Sequence, residues 1–148
     1  MSEADSYLRA AIEQARKSLA EGGIPIGSVL VHEGEIIGRG HNCRVQTGSA
    51  IDHGEMNCLR NAGRLGAKIY RNSTIYSTLS PCPMCSGAIV LYKIPRVVVG
   101  ENKTFRGAED YMQSHGIQVD VVQDEECIRM MTEFIEVNPA LWNEDIGV

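Results

Sequence analysis

Two short stretches of the chain carry groups that could do chemistry together: His53-Gly54-Glu55 and Pro81-Cys82-Pro83-Met84-Cys85. One imidazole and two thiolates suit a zinc ion, which takes nitrogen and sulfur ligands in a tetrahedron. Catalytic zinc sites leave the fourth position to water, and His53, Cys82 and Cys85 come with no obvious fourth ligand. Zinc lowers the pKa of its water to about 7. A carboxylate close by, here Glu55, could take that proton and pass it on.

The spacing supports a shared site. Cys82 and Cys85 stand three apart where a helix is expected to begin, so both sulfurs can point off one face. A helix N-terminus also favours negative charge and helps hold thiols as thiolates. His53 falls at the start of a second predicted helix. Two helix starts converging on one ion would put it at the end of a sheet where α/β folds bind ligands. Taken singly, the fragments read otherwise: a lone C-x-x-C is also a redox pair or half of a structural zinc site, and a lone His is usually a core or surface residue. In this order, with Glu two residues after His and Pro before Cys, they match the established signature of zinc deaminases, in which the glutamate is the acid–base and not a ligand.

The elements that must position these residues follow from periodicity. Tyr7, Leu8, Ala11, Ile12, Ala15 and Leu19 recur at helical spacing over 3–21, and Gly22-Gly23 ends the run. Residues 26–31 and 35–40 read as a hairpin, followed by a polar loop over 41–49. Helices are expected over 51–63, 82–92, 108–114 and 125–136, with a short helical piece at 141–143. Strands are expected over 74–78, 96–100 and 117–122, and the runs Val97-Val98-Val99 and Val119 to Val122 suit strands buried on both faces. Strands alternating with helices after the first hairpin predict a three-layer α/β/α sandwich with a mixed sheet of about five strands.

Composition bounds the rest. At 148 residues, with 43% apolar and 22% charged residues, the chain suits one globular domain over 1–148. A net charge of −5 lacks the basic footprint of a nucleic-acid binder. The polar start Met1 to Asp5 does not read as a signal peptide, and no apolar run reaches the roughly 20 residues of a membrane span. A soluble cytoplasmic protein is the expectation. Five cysteines, an odd number, argue against a full disulfide framework. Cys43, Cys58 and Cys127 read as small buried hydrophobes, His32 and His115 as solvent-facing turn residues, and His41 as structural.

Beyond the zinc motif, Glu21-Gly22-Gly23-Ile24-Pro25-Ile26-Gly27, Gly38-Arg39-Gly40-His41-Asn42, Thr78-Leu79-Ser80-Pro81-Cys82, Ile94-Pro95-Arg96, Val99-Gly100-Glu101-Asn102 and the tail Trp142-Asn143-Glu144-Asp145-Ile146-Gly147 resemble the fungal-type cytosine deaminases, within the cytidine deaminase superfamily, nearly end to end. The resemblance implies one zinc ion per subunit, a homodimer, and conversion of a free base, cytosine, to uracil. It assigns Asn42 to the base carbonyl and ring edge and Glu55 to proton transfer and the ring nitrogen. It assigns the Gly54 backbone to a further base contact, the Ser80 carbonyl to the leaving amine, and Asp145 to the exocyclic amine. Ile26, Phe105 and Trp142 would enclose the ring, and residues 139–148 would close over the site and screen out nucleosides and polynucleotides. On residue type alone, Trp142 would anchor the tail, Phe105 would be core, and Asp145 a solvated charge.

Two departures stand out. Asp52 replaces an apolar residue before His53 and is expected to face solvent; facing the pocket, it would alter the substrate. Asn143 replaces an aromatic residue beside Trp142. Competing readings are deamination of isocytosine, then guanine, creatinine or tRNA adenosine, and a non-catalytic zinc-stabilised interaction module, which would have no need of Glu55.

Overall fold

The computed structural model describes residues 3–148, so the reading of the chain start at Met1 and Ser2 lies outside the described residues. In chain order the elements are α1 (Glu3–Ala20), β1 (Gly27–His32), β2 (Glu35–His41), α2 (Arg44–Thr47), α3 (Gly54–Ala62), α4 (Ala67–Arg71), β3 (Ser73–Ser77), α5 (Pro83–Leu91), β4 (Arg96–Val99), α6 (Glu109–Ser114), β5 (Gln118–Val121), α7 (Glu125–Val137) and α8 (Pro139–Asp145). The five strands form one sheet in the order β2-β1-β3-β4-β5. The pairs β1–β2 and β1–β3 are antiparallel; β3–β4 and β4–β5 are parallel. The mixed five-stranded sheet matches the sequence expectation.

Side chains alternate across a strand, and the two faces of this sheet bury separate cores. Val29, Val31, Tyr76 and Val98 pack with Leu8, Ala11 and Ile12 of α1 and with Cys127 and Met130 of α7. Leu30, Ile75, Val97 and Val99 face the other way, onto Cys58 of α3, Ile89 of α5 and Met112 of α6. A third cluster sits at one end of the sheet, where Ile24, Ile26 and Leu79 meet Met131 and Phe134 of α7 and Trp142 of α8. That cluster docks the last helix near the predicted metal ligands.

Two glycines set how closely the helices approach. A Cβ on Gly27 would lie 2.1 Å from the Ala11 carbonyl oxygen, and one on Gly40 would lie 2.1 Å from the Cys58 backbone nitrogen. In both cases the obstacle is backbone, which cannot swing aside. The absence of a side chain at Gly40 therefore lets α3 lie directly on β2.

Four expectations need correction. Leu19 is 46% exposed and lies off the buried stripe of α1. The residues 41–49 contain the single-turn helix α2, and α4 was not anticipated; helices this short carry too little periodicity to read. Helix α3 begins at Gly54, not at residue 51, because Ile51 to His53 form a turn in which the His53 amide bonds the Ile51 carbonyl. Strand β5 is only half buried, and Val122 after it is 50% exposed, since β5 closes the edge of the sheet.

Gly40→Ala is expected to lower folding stability by about 2–3 kcal/mol, the cost of forcing atoms into a packed contact. Denaturant unfolding reads this directly; an unchanged midpoint would mean that α3 does not depend on the close approach.

Candidate active site

The predicted ligands come together at the starts of two helices. His53 is the N-cap of α3 and Cys82 the N-cap of α5, with Pro83 at the first helical position, where its missing N–H costs nothing. Cys82 Sγ accepts a hydrogen bond from the Cys85 backbone N–H at 3.5 Å. One donor atom each from His53, Cys82 and Cys85 lie within 4.8 Å of one another. Cys82 Sγ is 3.5 Å from His53 Nδ1. A sulfur and a nitrogen on a tetrahedral zinc ion are separated by about 3.6 Å, given bonds of ~2.3 and ~2.05 Å. The donor types and this spacing fit zinc, with Nδ1 as the imidazole donor.

The protonation pattern makes the same point. Cys82 is pulled down to about 4 by a hydrogen bond from the Cys85 thiol, against burial and with help from His53. Cys85 is raised well above its ordinary value by that same bond, then by burial. Burial works against the charge on His53, yet the bond to Cys82 and the negative charges of Asp145 and Glu55 lift it to about 9. Burial, then the Cys82 charge, pushes Glu55 up to about 7. These four groups thus crowd their ionisable protons into one small space. A divalent cation resolves this by taking the place of the protons, leaving two thiolates and a neutral imidazole.

A cavity of about 10 Å³, roughly the room of one water, adjoins these groups. His53, Glu55 and Cys82 form its floor, and the predicted substrate residues Ile26, Ser80, Phe105, Trp142 and Asp145 line it. Phe105 and Trp142 meet edge to face, with ring centroids 5.7 Å apart. Leu79 and Ile146 complete the wall; neither was assigned a role from sequence, because an aliphatic side chain carries no chemical signal of its own. Asn42 stands behind the cavity, fully buried, and donates from Nδ2 to Asp145 Oδ2 at 2.9 Å. Gly54 lies against Ile26, where an added Cβ would be 3.1 Å from the Ile26 carbonyl oxygen.

Asp145 is not the solvated charge that its type alone suggests. Its side chain is 3% exposed, with Oδ1 3.8 Å from His53 Nε2 and Oδ2 3.9 Å from Arg44 Nε. Arg44, itself buried, also bonds Glu144 at 2.9 Å and so holds α8 to the segment after β2. Ser80 is fixed by its hydroxyl, which donates to Glu109 at 2.6 Å and accepts from the Gly107 amide at 2.9 Å.

Asp52 does not face solvent. It is 1% exposed, and its carboxylate accepts from Arg60 at 2.9 Å, from Thr47 at 3.2 Å and from Asn57 at 3.4 Å. A buried carboxylate needs such partners, and Arg60 one helix away supplies the charge. The side chain braces the approach to α3 and takes no part in lining the cavity. His32 is half buried and its Nδ1 lies 3.2 Å from the Asn72 carbonyl oxygen; His115 is exposed, as expected. Cys43, Cys58 and Cys127 are buried. A larger groove of about 610 Å³ lies across α3 and α5, lined by Ile51, Met56, Leu59 and Tyr92 with Arg60 and Arg64. It offers neither an acid–base pair nor a metal ligand, so the small cavity is the chemical site. Among the described residues no helix is long and apolar enough to cross a membrane.

A zinc-ready donor set, a buried carboxylate beside it and a mixed sheet behind both define a hydrolase that adds water to an amine-bearing carbon. Residues 1–101 match the family described as the cytidine and deoxycytidylate deaminase zinc-binding region. The chain belongs to this family, and it is a zinc-dependent hydrolytic deaminase. It is 53% identical over 141 residues to a cytosine deaminase of Candida albicans, covering 95% of this chain and 94% of that protein. It is 42% identical over 123 residues to a tRNA-specific adenosine deaminase of Streptococcus pyogenes, covering 77% of each. A guanine deaminase structure from Nitrosomonas europaea shares the fold at 19% identity, with a TM-score of 0.70 over 90% of this chain and 84% of that one.

Replacing Cys82 or Cys85 by Ser is expected to release the zinc that the parent protein keeps through dialysis against a mild chelator, whereas Cys58→Ala retains it. Elemental analysis after dialysis distinguishes the two cases. A Cys85→Ser protein that kept its full zinc would place the ion elsewhere.

Proposed function

We propose that this chain converts free cytosine and water to uracil and ammonia. The observation that carries the reading is the small cavity that Trp142 and Asp145 of α8 line together with Glu55, the Asp145 carboxylate being buried. An ionised aspartate only accepts hydrogen bonds, so its partner on a substrate must carry N–H groups, as an exocyclic amine does. The similarity to a cytosine deaminase over 95% of the chain supports the same choice of base.

Zinc held by His53, Cys82 and Cys85 supplies the Lewis acidity that makes water a nucleophile at neutral pH. The remaining work falls to the chain. Water adds to the ring carbon that bears the amine. Glu55, buried and poised near neutrality, takes the proton of that water and gives it to the adjacent ring nitrogen. It then moves the proton of the new hydroxyl to the amine, which leaves as ammonia. Asn42 offers its second amide hydrogen to the base carbonyl, its first being engaged by Asp145. The Gly54 backbone and the Ser80 carbonyl complete the polar edge, while Ile26, Phe105 and Trp142 flank the ring.

A cavity of about 10 Å³ is far smaller than a pyrimidine, so the wall must yield to admit one. Helix α8 carries Trp142, Asp145 and Glu144 and is only seven residues long, which makes it the element that opens. The acidic net charge of −5 gives a tRNA no attraction.

The purified protein is expected to release ammonia from cytosine at least about 100-fold faster (kcat/KM) than from isocytosine, guanine, creatinine or cytidine. Glu55→Gln should keep its zinc and lose at least about 100-fold in kcat, and removal of residues 140–148 should abolish turnover of the free base. Preference for another base would refute the substrate, and near-normal turnover by Glu55→Gln would refute the proton-transfer role.

A further inference from the structure

A second group of metal-ligating side chains lies outside the catalytic cavity. Glu21, His41 and Cys43 bring a carboxylate oxygen, an imidazole nitrogen and a sulfur within 4.8 Å of one another. Glu21 follows the end of α1, while His41 closes β2 and Cys43 leads into α2. His41 Nε2 lies 2.8 Å from Glu21 Oε1. His41 and Cys43 are buried, and Glu21 is exposed, so the cluster has a protein floor and an open mouth through which an ion can enter. None of the three lines the catalytic cavity.

A hydrogen bond between Glu21 and His41 accounts for those two residues but not for the rest of the cluster. Gln46 covers it, donating from Nε2 to Glu21 Oε1 at 3.2 Å and to the Asn42 carbonyl at 3.1 Å. Its Oε1 is the one buried side-chain nitrogen or oxygen without a hydrogen-bond partner among the described residues. Leaving such an atom unpaired costs on the order of 1–3 kcal/mol. Sulfur, imidazole nitrogen and carboxylate oxygen are the three donor types that zinc accepts, and three protein donors plus a light fourth ligand is a complete set.

We propose that Glu21, His41 and Cys43 form a second metal site, for a thiophilic divalent cation of the zinc type. Donor atoms on a tetrahedral zinc ion stand about 3.3–3.6 Å apart, and the three donors here lie within 4.8 Å of one another, so small side-chain rotations would bring them into range. The entering cation displaces the proton of the Cys43 thiol, which passes to water, and His41 binds as a neutral imidazole with its one N–H on the other ring nitrogen. Burial and the negative charges of Asp52 and Glu21 raise the Cys43 thiol. Bound there, the ion cross-links the end of α1 to the end of β2. Asn42, which holds Asp145, lies between two of its ligands.

The test uses the whole protein under reducing conditions, loaded with one equivalent of zinc and then titrated with cobalt(II). The expected result is a further equivalent bound, with a thiolate-to-cobalt charge-transfer band in the near ultraviolet. Cys43→Ser should lose that band, and Glu21→Gln, which keeps a hydrogen-bonding group beside His41, should weaken cobalt binding by about ten-fold or more. Saturation with no further equivalent bound would overturn the site. So would a band that persists in Cys43→Ser, since it would report cobalt replacing zinc on Cys82 and Cys85, or equal binding by Glu21→Gln.

Discussion

Two helix starts must meet at one point, and almost everything else in this protein serves that meeting. The N-caps of α3 and α5, His53 and Cys82, are two of the three donors that could hold the ion, which would join the ends of two elements that lie far apart in sequence. Unlinked, the cluster of His53, Cys82, Cys85 and Glu55 is electrostatically uneven: burial and the Cys82 charge push Glu55 up to about 7, while the hydrogen bond from the Cys85 thiol to Cys82 raises Cys85 and lowers Cys82 to about 4. The fold tolerates this because α3 is pressed onto β2 at Gly40, and α5 begins immediately beyond β3. The sheet fixes both helix starts before any ligand arrives.

The second layer of the site comes from residues that never touch the metal. Asp52, with Arg60, Thr47 and Asn57, braces the turn that delivers His53. Glu109 orients Ser80 through its hydroxyl. Arg44 joins the segment after β2 to α8 through Glu144, and Asn42 meets Asp145. Asp145 therefore lies at a junction, facing the imidazole ligand on one side and the binding cavity on another.

How much of this was legible in the chain differs by residue, for physical reasons. The ligands and Glu55 could be read because thiols, imidazole and carboxylate at that spacing have few uses in common. The central strands could be read because Val97 to Val99 form a continuous apolar run, and β4 is indeed covered on both faces. β5 carries a similar run yet forms an edge, since sequence alone does not say what packs beyond a strand. The burial of Asp52 was missed because its partners Thr47, Asn57 and Arg60 are brought to it only by the fold. Asp145 and Trp142 became visible through resemblance alone. The cluster of Glu21, His41 and Cys43 was invisible because a helix end and a strand end separated by about 20 residues must first be folded together.

The central claim is that a single zinc ion is gripped by one imidazole and two sulfurs with its fourth position open. X-ray absorption at the zinc edge, on protein holding one equivalent, measures this without recourse to activity. The account predicts two sulfur atoms at about 2.3 Å, with one nitrogen and one further light atom near 2.0–2.1 Å. A shell of four sulfurs, or one with fewer than two, would contradict it.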